Sequence, residues 1–100
     1  MVLVFNSGRV NITWSINDPP SVNEDIDTSA VTYDIEYTDH YIGSNTNWHT
    51  VKRRIPYSSS SYQWIVGQSI KSRSVRIRMR TINSSDQSVS SWSVSDQFSI

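Results

Sequence analysis

Apolar and polar residues alternate with a period of two along most of this chain, the spacing that sends successive side chains to opposite faces of a β-strand. Val10, Ile12 and Trp14 alternate with Asn11 and Thr13, which predicts a half-buried strand with the first three residues inward. Asn17-Asp18-Pro19-Pro20 ends it, because two prolines withhold ladder donors and force an extended exit. From Ser21 to Ala30 the chain carries Asn23, Glu24, Asp25 and Asp27 with only Val22 and Ile26 as larger apolar residues, and this reads as a solvated connection. The cleanest alternation follows, with Val31, Tyr33, Ile35 and Tyr37 set against Thr32, Asp34, Glu36 and Thr38.

A turn-prone run holds Gly43, Ser44 and Asn45, after which Asn47 to Arg53 offers Trp48 and Val51 among polar neighbours. This predicts a short edge strand, closed by Pro56 and the serines 58 to 61. Tyr62, Trp64 and Val66 form the next strand, and Val75, Ile77 and Met79 alternate with Arg76, Arg78 and Arg80 in the one after. A polar loop is expected from Asn83 to Ser90, then a last strand from Trp92 and Val94 toward Phe98 and Ile100. At the other end, Val2 to Phe5 make a short first strand before a hairpin at Ser7-Gly8. No stretch keeps a helical period. Strands about every ten residues with turn chemistry between them imply an antiparallel sandwich or barrel.

Composition narrows the functional classes. A chain of 100 residues has room for one core and no separate cofactor lobe. Its formal net charge is zero and its pI is near 6.7, which argues against a nucleic-acid or membrane-surface footprint. There is no cysteine, hence no thiol for zinc, nucleophilic catalysis or a disulfide. No apolar stretch approaches a membrane span, and Met1 to Phe5 lacks the length and pattern of a signal peptide.

The motifs resemble the fibronectin type III family along nearly the whole chain. Val10-Asn11-Ile12-Thr13-Trp14 with Pro19-Pro20 is similar to that family's second strand, Val31 to Tyr37 to its third, and Asn47-Trp48-His49-Thr50-Val51 to its fourth. Ser61-Tyr62-Gln63-Trp64 matches the fifth, and Ser74-Val75-Arg76-Ile77-Arg78-Met79-Arg80 the sixth. The resemblance implies an all-β fold, a seven-stranded antiparallel immunoglobulin-like β-sandwich of fibronectin type III topology, as one domain over residues 1–100 with a clipped first strand. Two departures stand out: Arg73 occupies the place of the family's corner tyrosine, and Gly67-Gln68-Ser69-Ile70 replaces its Leu-x-Pro-Gly turn. A narrower resemblance, to the membrane-proximal type III domains of cytokine receptors, rests on Ser91-Trp92-Ser93-Val94-Ser95, where valine replaces the second tryptophan of Trp-Ser-x-Trp-Ser.

These likenesses imply a non-catalytic extracellular or cell-surface module that binds a protein partner or spaces neighbouring domains, with no cofactor, nucleic acid or direct membrane contact. The alternatives are a cytokine-receptor-like ligand-binding domain or a glycan-binding accessory of a secreted enzyme. The candidate partner face comprises Arg76, Arg78, Arg80, Trp92 and Trp48. On the outward face of one strand the three arginines repel unless opposed, and in the type III arrangement Asp34 and Glu36 of the third strand oppose them, with Trp92 stacking between guanidinium groups. The competing reading makes this ladder purely a stiffener. Lys52, Arg53 and Arg54 with Lys71 and Arg73 form two basic clusters suited to a sulfated glycan or acidic partner, although zero net charge withholds long-range attraction.

Glu24, Asp25 and Asp27 lack the alternating ligands and glycine of a calcium loop, and His40 and His49 have no cysteine to complete a metal set. No nucleophile turn or oxyanion donors accompany the many serines. Asn11-Ile12-Thr13 and Asn83-Ser84-Ser85 fit the N-glycosylation pattern, with Asn11 expected to face outward and Asn83 to lie accessible on a loop. Trp14, Tyr33 and Tyr37 are the expected inward aromatics, and an exposed Trp48 or Trp92 would be the first candidate contact residue.

Overall fold

A computed structural model describes residues 1–6, 8–14, 30–67, 74–85 and 87–99. The Asn17–Pro20 strand exit, the acidic run with Glu24, Asp25 and Asp27, the turn residues Gln68–Ile70, Lys71, Arg73 and Ile100 lie outside the described residues. The chain is all-β: β1 (Val2–Asn6), β2 (Arg9–Thr13), β3 (Val31–Thr38), β4 (His49–Pro56), β5 (Ser61–Ile65), β6 (Arg76–Asn83), β7 (Ser88–Val89) and β8 (Ser93–Val94), with a 3-10 turn at Gly43–Asn45. All pairings are antiparallel. One sheet has the order β1-β2-β5, and the other β4-β3-β6-β7 with β8 also on β6.

The two sheets bury their facing sides together as a β-sandwich. Val10, Ile12, Trp14 and Trp64 from the smaller sheet share one core with Tyr33, Ile35, Ile55, Ile77 and Met79 from the larger, each at an alternate position, so the period-two pattern translates directly into burial. Aromatic rings pin the layers to each other. Trp14 meets Tyr33 edge-on at 5.2 Å between centroids, and Tyr37 meets Trp64 at 4.6 Å, contacts that add to area burial when geometry is right. Tyr33 is 1% exposed, and burial pushes its phenol pKa up because the charged form loses its hydration. The Trp14 indole beside it offsets part of this rise and Tyr57 adds to it, although Trp14 Nε1 completes no hydrogen bond of good geometry.

The first strand is short but fully paired, from Val2 opposite Thr13 to Asn6 opposite Arg9. Gly8 in the link has φ +83°, and a Cβ there would meet nothing within 4 Å. The turn therefore asks for glycine by conformation, not by space.

Three boundaries differ from the sequence reading. The fourth strand is His49–Pro56 and not Asn47–Arg53, because its register against β3 shifts twice, between Tyr33 and Ile35 and between Ile35 and Glu36. Such bulges hide a strand from an alternation search. The sixth runs on to Asn83, and Ser88–Val89, expected in a loop, pairs with its end as β7.

The expected last strand is reduced to β8 and a bridge from Phe98 to Val75, and together with β7 these pieces line one edge of β6. Pairing slips by one residue at each of the two breaks. Serine side chains repair the ladder there. Thr81 N–H donates to Ser90 Oγ at 2.9 Å and Ile77 N–H to Ser95 Oγ at 2.9 Å, while Ser90 and Ser95 return their own N–H groups to the Thr81 and Ile77 carbonyls. Each hydroxyl stands in for the carbonyl that the slip has carried away, so buried backbone donors stay paired.

Candidate functional site

Strand β6 alternates strictly, with Ile77, Met79 and Thr81 buried and Arg76, Arg78 and Arg80 on the outer face. Its register sets Arg76 opposite Thr38, Arg78 opposite Glu36 and Arg80 opposite Asp34, so the like-charged row faces acceptors, as the alternation in the two strands requires. Arg78 donates from Nε and Nη2 to Glu36 Oε1 at 2.8 and 2.6 Å. Arg80 Nη2 stands 3.7 Å from Asp34 Oδ2.

Aromatic rings fill the spaces between these guanidinium groups. Arg78 lies 4.3 Å from the Trp48 ring centre and 3.9 Å from that of Trp92, and Arg80 lies 4.5 Å from Trp92. Arg76 sits 4.4 Å over Tyr41 and donates to the Ser95 carbonyl at 3.3 Å. The sequence of contacts Trp48, Arg78, Trp92, Arg80 is a ladder closed by β3 carboxylates beneath it. Both tryptophans are half-buried on this outer face. The side chains of Arg78 and Glu36 retain only 22% and 15% of their exposure, and Asp34 retains 5%. The layer thus covers the central strand from outside, which is why β3 is buried or half-buried at every position. In this partly desolvated setting each stacked guanidinium contributes about 1 kcal/mol.

At the upper end of the ladder the β3–β4 bulge makes a second arrangement that the sequence did not suggest. Arg54 adopts φ +60° and its N–H donates to Asp34 Oδ1 at 3.2 Å. A cavity of about 510 Å³ opens beside it, lined by Thr32, Asp34, Arg53, Arg54, Arg80, Ile82 and Ser84. The basic pair Arg53 and Arg54 therefore meets Arg80, while Lys71 and Arg73 lie outside the described residues. Charge runs in the sequence pointed to the pair. The positive φ that decides where it goes leaves no mark in the residue types.

The two sequons separate. Asn11 is exposed on β2, and its Oδ1 accepts Gln63 Nε2 at 3.2 Å, which leaves that bond on the oxygen and not on the Nδ2 that a glycan would occupy. Asn83, expected to be accessible on a loop, is instead 2% exposed at the end of β6, and its Oδ1 accepts the Ser85 N–H at 3.0 Å. The physical reason is phase: residue 83 falls in step with Ile77, Met79 and Thr81 and points inward with them. His40 and His49 line a separate hollow with Trp48, and no three histidine, aspartate or glutamate side chains gather as a metal set among the described residues.

Set against protein-family models, curated proteins and solved structures, the chain matches none of them.

Proposed function

We propose that this chain is a non-catalytic, fibronectin type III-like module of a larger extracellular or cell-surface protein, binding a protein partner through the arginine–tryptophan face of its larger sheet. The observation that carries the reading is the holding of Arg78 between Trp48 and Trp92 above Glu36. Arginine and tryptophan dominate the energetics of protein interfaces. Here they are ordered before any partner arrives, so association loses little side-chain entropy. The fold-family part of the proposal draws on the motif resemblance and on the sheet orders β1-β2-β5 and β4-β3-β6-β7; the functional part is analogy from fold to site.

A second reading is favoured by one observation. Trp92 interdigitates with Arg78 and Arg80, two of the three arginines, Arg76, Arg78 and Arg80, that a cytokine-receptor-like ligand-binding domain is expected to stack on it, while Arg76 lies over Tyr41. The glycan-accessory reading loses support, because the rings of Trp48 and Trp92 are turned to arginines instead of forming an open platform.

The test is a comparison of ligand capture by the immobilised chain and by Trp48→Ala, using a library of secreted and cell-surface ectodomains. The proposal expects ectodomains bound by the parent and lost in the variant, with the variant still folded by circular dichroism. Capture that is insensitive to Trp48, or absent altogether, contradicts it.

A further inference from the structure

We propose that the cavity between β3, β4 and β6 is a binding pocket for an acidic side chain on an extended segment of a partner protein. The inference rests on the reading of the chain as a protein-interaction module and adds a second, chemically defined contact point to it.

Three guanidinium groups and one carboxylate line the cavity, so its walls carry a net positive charge in a chain whose total is zero. The single carboxylate is already engaged. Asp34 accepts the Arg54 N–H through Oδ1 and faces Arg80 through Oδ2. Arg53 and Arg54 have no carboxylate partner for their side chains among the described residues, and Arg80 Nε is buried without an acceptor. Buried donors of this kind are costly unless something completes them.

The backbone has been bent to make this arrangement. Regular alternation sends consecutive residues to opposite faces, yet Arg53 and Arg54 both line the cavity because the register shift between Lys52 and Ile55 sets the two of them together opposite the single residue Asp34. Arg54 holds a left-handed conformation that is strained for a non-glycine residue. A glycine there would relieve the strain but remove the guanidinium.

The shape and the charge select the ligand class. A cavity of about 510 Å³ has room for an acidic side chain together with some of its flanking backbone, and a sulfated glycan with its repeating charges calls for a longer basic stripe. Asp34 in the wall also disfavours a densely charged dianion over a single carboxylate. Strand β4 ends the larger sheet's order among the described residues, so its outer backbone groups are placed to pair with an extended segment while Lys52, Arg53 and Arg54 guard that edge against segments lacking the acid.

The experiment is an NMR titration of the isotope-labelled full chain with a blocked heptapeptide carrying two glutamates, its glutamine counterpart and a sulfated disaccharide, all at a fixed ionic strength of about 0.15 M. The proposal expects saturable amide shifts at Thr32, Arg53, Arg54, Arg80 and Ser84 with the glutamate peptide alone. Arg53→Gln is expected to weaken that binding about fivefold, the effect of one screened charge-assisted contact. Arg54→Gly, which keeps the backbone conformation without strain, is expected to weaken it comparably while leaving the fold intact. Equal shifts with the glutamine peptide, shifts spread over Arg9 and Arg76 as well, saturation by the disaccharide alone, or indifference to both variants would overturn it. Trp48→Ala removes a ladder wall without altering a pocket residue. A pocket that titrates normally in that variant, whatever its ectodomain capture, separates this inference from the proposal above.

Discussion

The outer faces of the two sheets have been built in opposite ways. On the smaller sheet, Val2, Val4 and Ile65 stand 60%, 54% and 70% exposed, and the polar contact described there is the Gln63–Asn11 hydrogen bond. On the larger sheet, four aromatic or guanidinium groups stack in succession and two carboxylates lie under them. The strands of both sheets obey the same alternation. What differs is the length and kind of the outward side chains: long cationic stems can lie flat and cover the pleat, whereas valine and threonine cannot. The comparison teaches that an outward face becomes a third layer only where its side chains neutralise and stack on one another.

The strongest way to break the comparison is to remove the rung that touches both tryptophans. Arg78→Ala is expected to destabilise the fold by about 2 kcal/mol, since it strips two stacked rings and leaves Glu36 half-buried and unpaired, discounted for the solvent that still reaches the pair. Chemical denaturation would read this directly, and a change below about 0.5 kcal/mol would place the ladder among ordinary surface ion pairs.

Next in size is a change beneath the same strand. Thr81 Oγ1 is buried without a hydrogen-bond partner, and Thr81→Val is expected to stabilise by about 1 kcal/mol. The gain shows as a higher denaturation midpoint at unchanged slope. A loss would mean that the hydroxyl has a partner after all.

On the bare face, Val4→Thr should alter stability by less than about 0.5 kcal/mol, because the side chain already meets solvent. Set beside Arg78→Ala, this gives the contrast between the two outer faces as a single difference of measured free energies.

The smallest effect at neutral pH emerges only in alkali. Tyr33 has its pKa raised in the folded chain, so the unfolded chain releases that proton first as pH climbs past about 10. Stability is then fully present below about pH 10 and falls above it. Tyr33→Phe should flatten the fall in thermal midpoint between about pH 9 and 11, around the ordinary tyrosine pKa. A midpoint that declines identically in the variant would assign the alkaline loss elsewhere.

Much of this organisation was readable from residue types. Val31 to Thr38 alternates without interruption and is a strand over the same residues, and the facing of Asp34 and Glu36 to arginines follows once β3 and β6 pair. Trp48 was ambiguous in sequence because no alternation flanks it; its place over Arg78 depends on the turn at Gly43–Asn45 and on the start of β4 at His49. The acidic-ligand pocket was invisible, since a left-handed arginine in a bulge is a tertiary outcome that overrides local preference. Asn83 and the broken last strand went astray for a related reason. Serine and asparagine look like loop formers, but here Ser90 and Ser95 pair with β6 through their hydroxyls and Asn83 follows the inward phase of its strand.

A double-mutant cycle between Arg78 and Trp92, read by chemical denaturation at about 0.15 M salt, bears most directly on the claim that the larger sheet's outer face is a coupled layer. The account predicts that Arg78→Ala and Trp92→Ala together cost less than the sum of the two alone, with a coupling of about 1 kcal/mol. Strictly additive costs would contradict it, leaving the arginines and tryptophans as neighbours on a surface without mutual support.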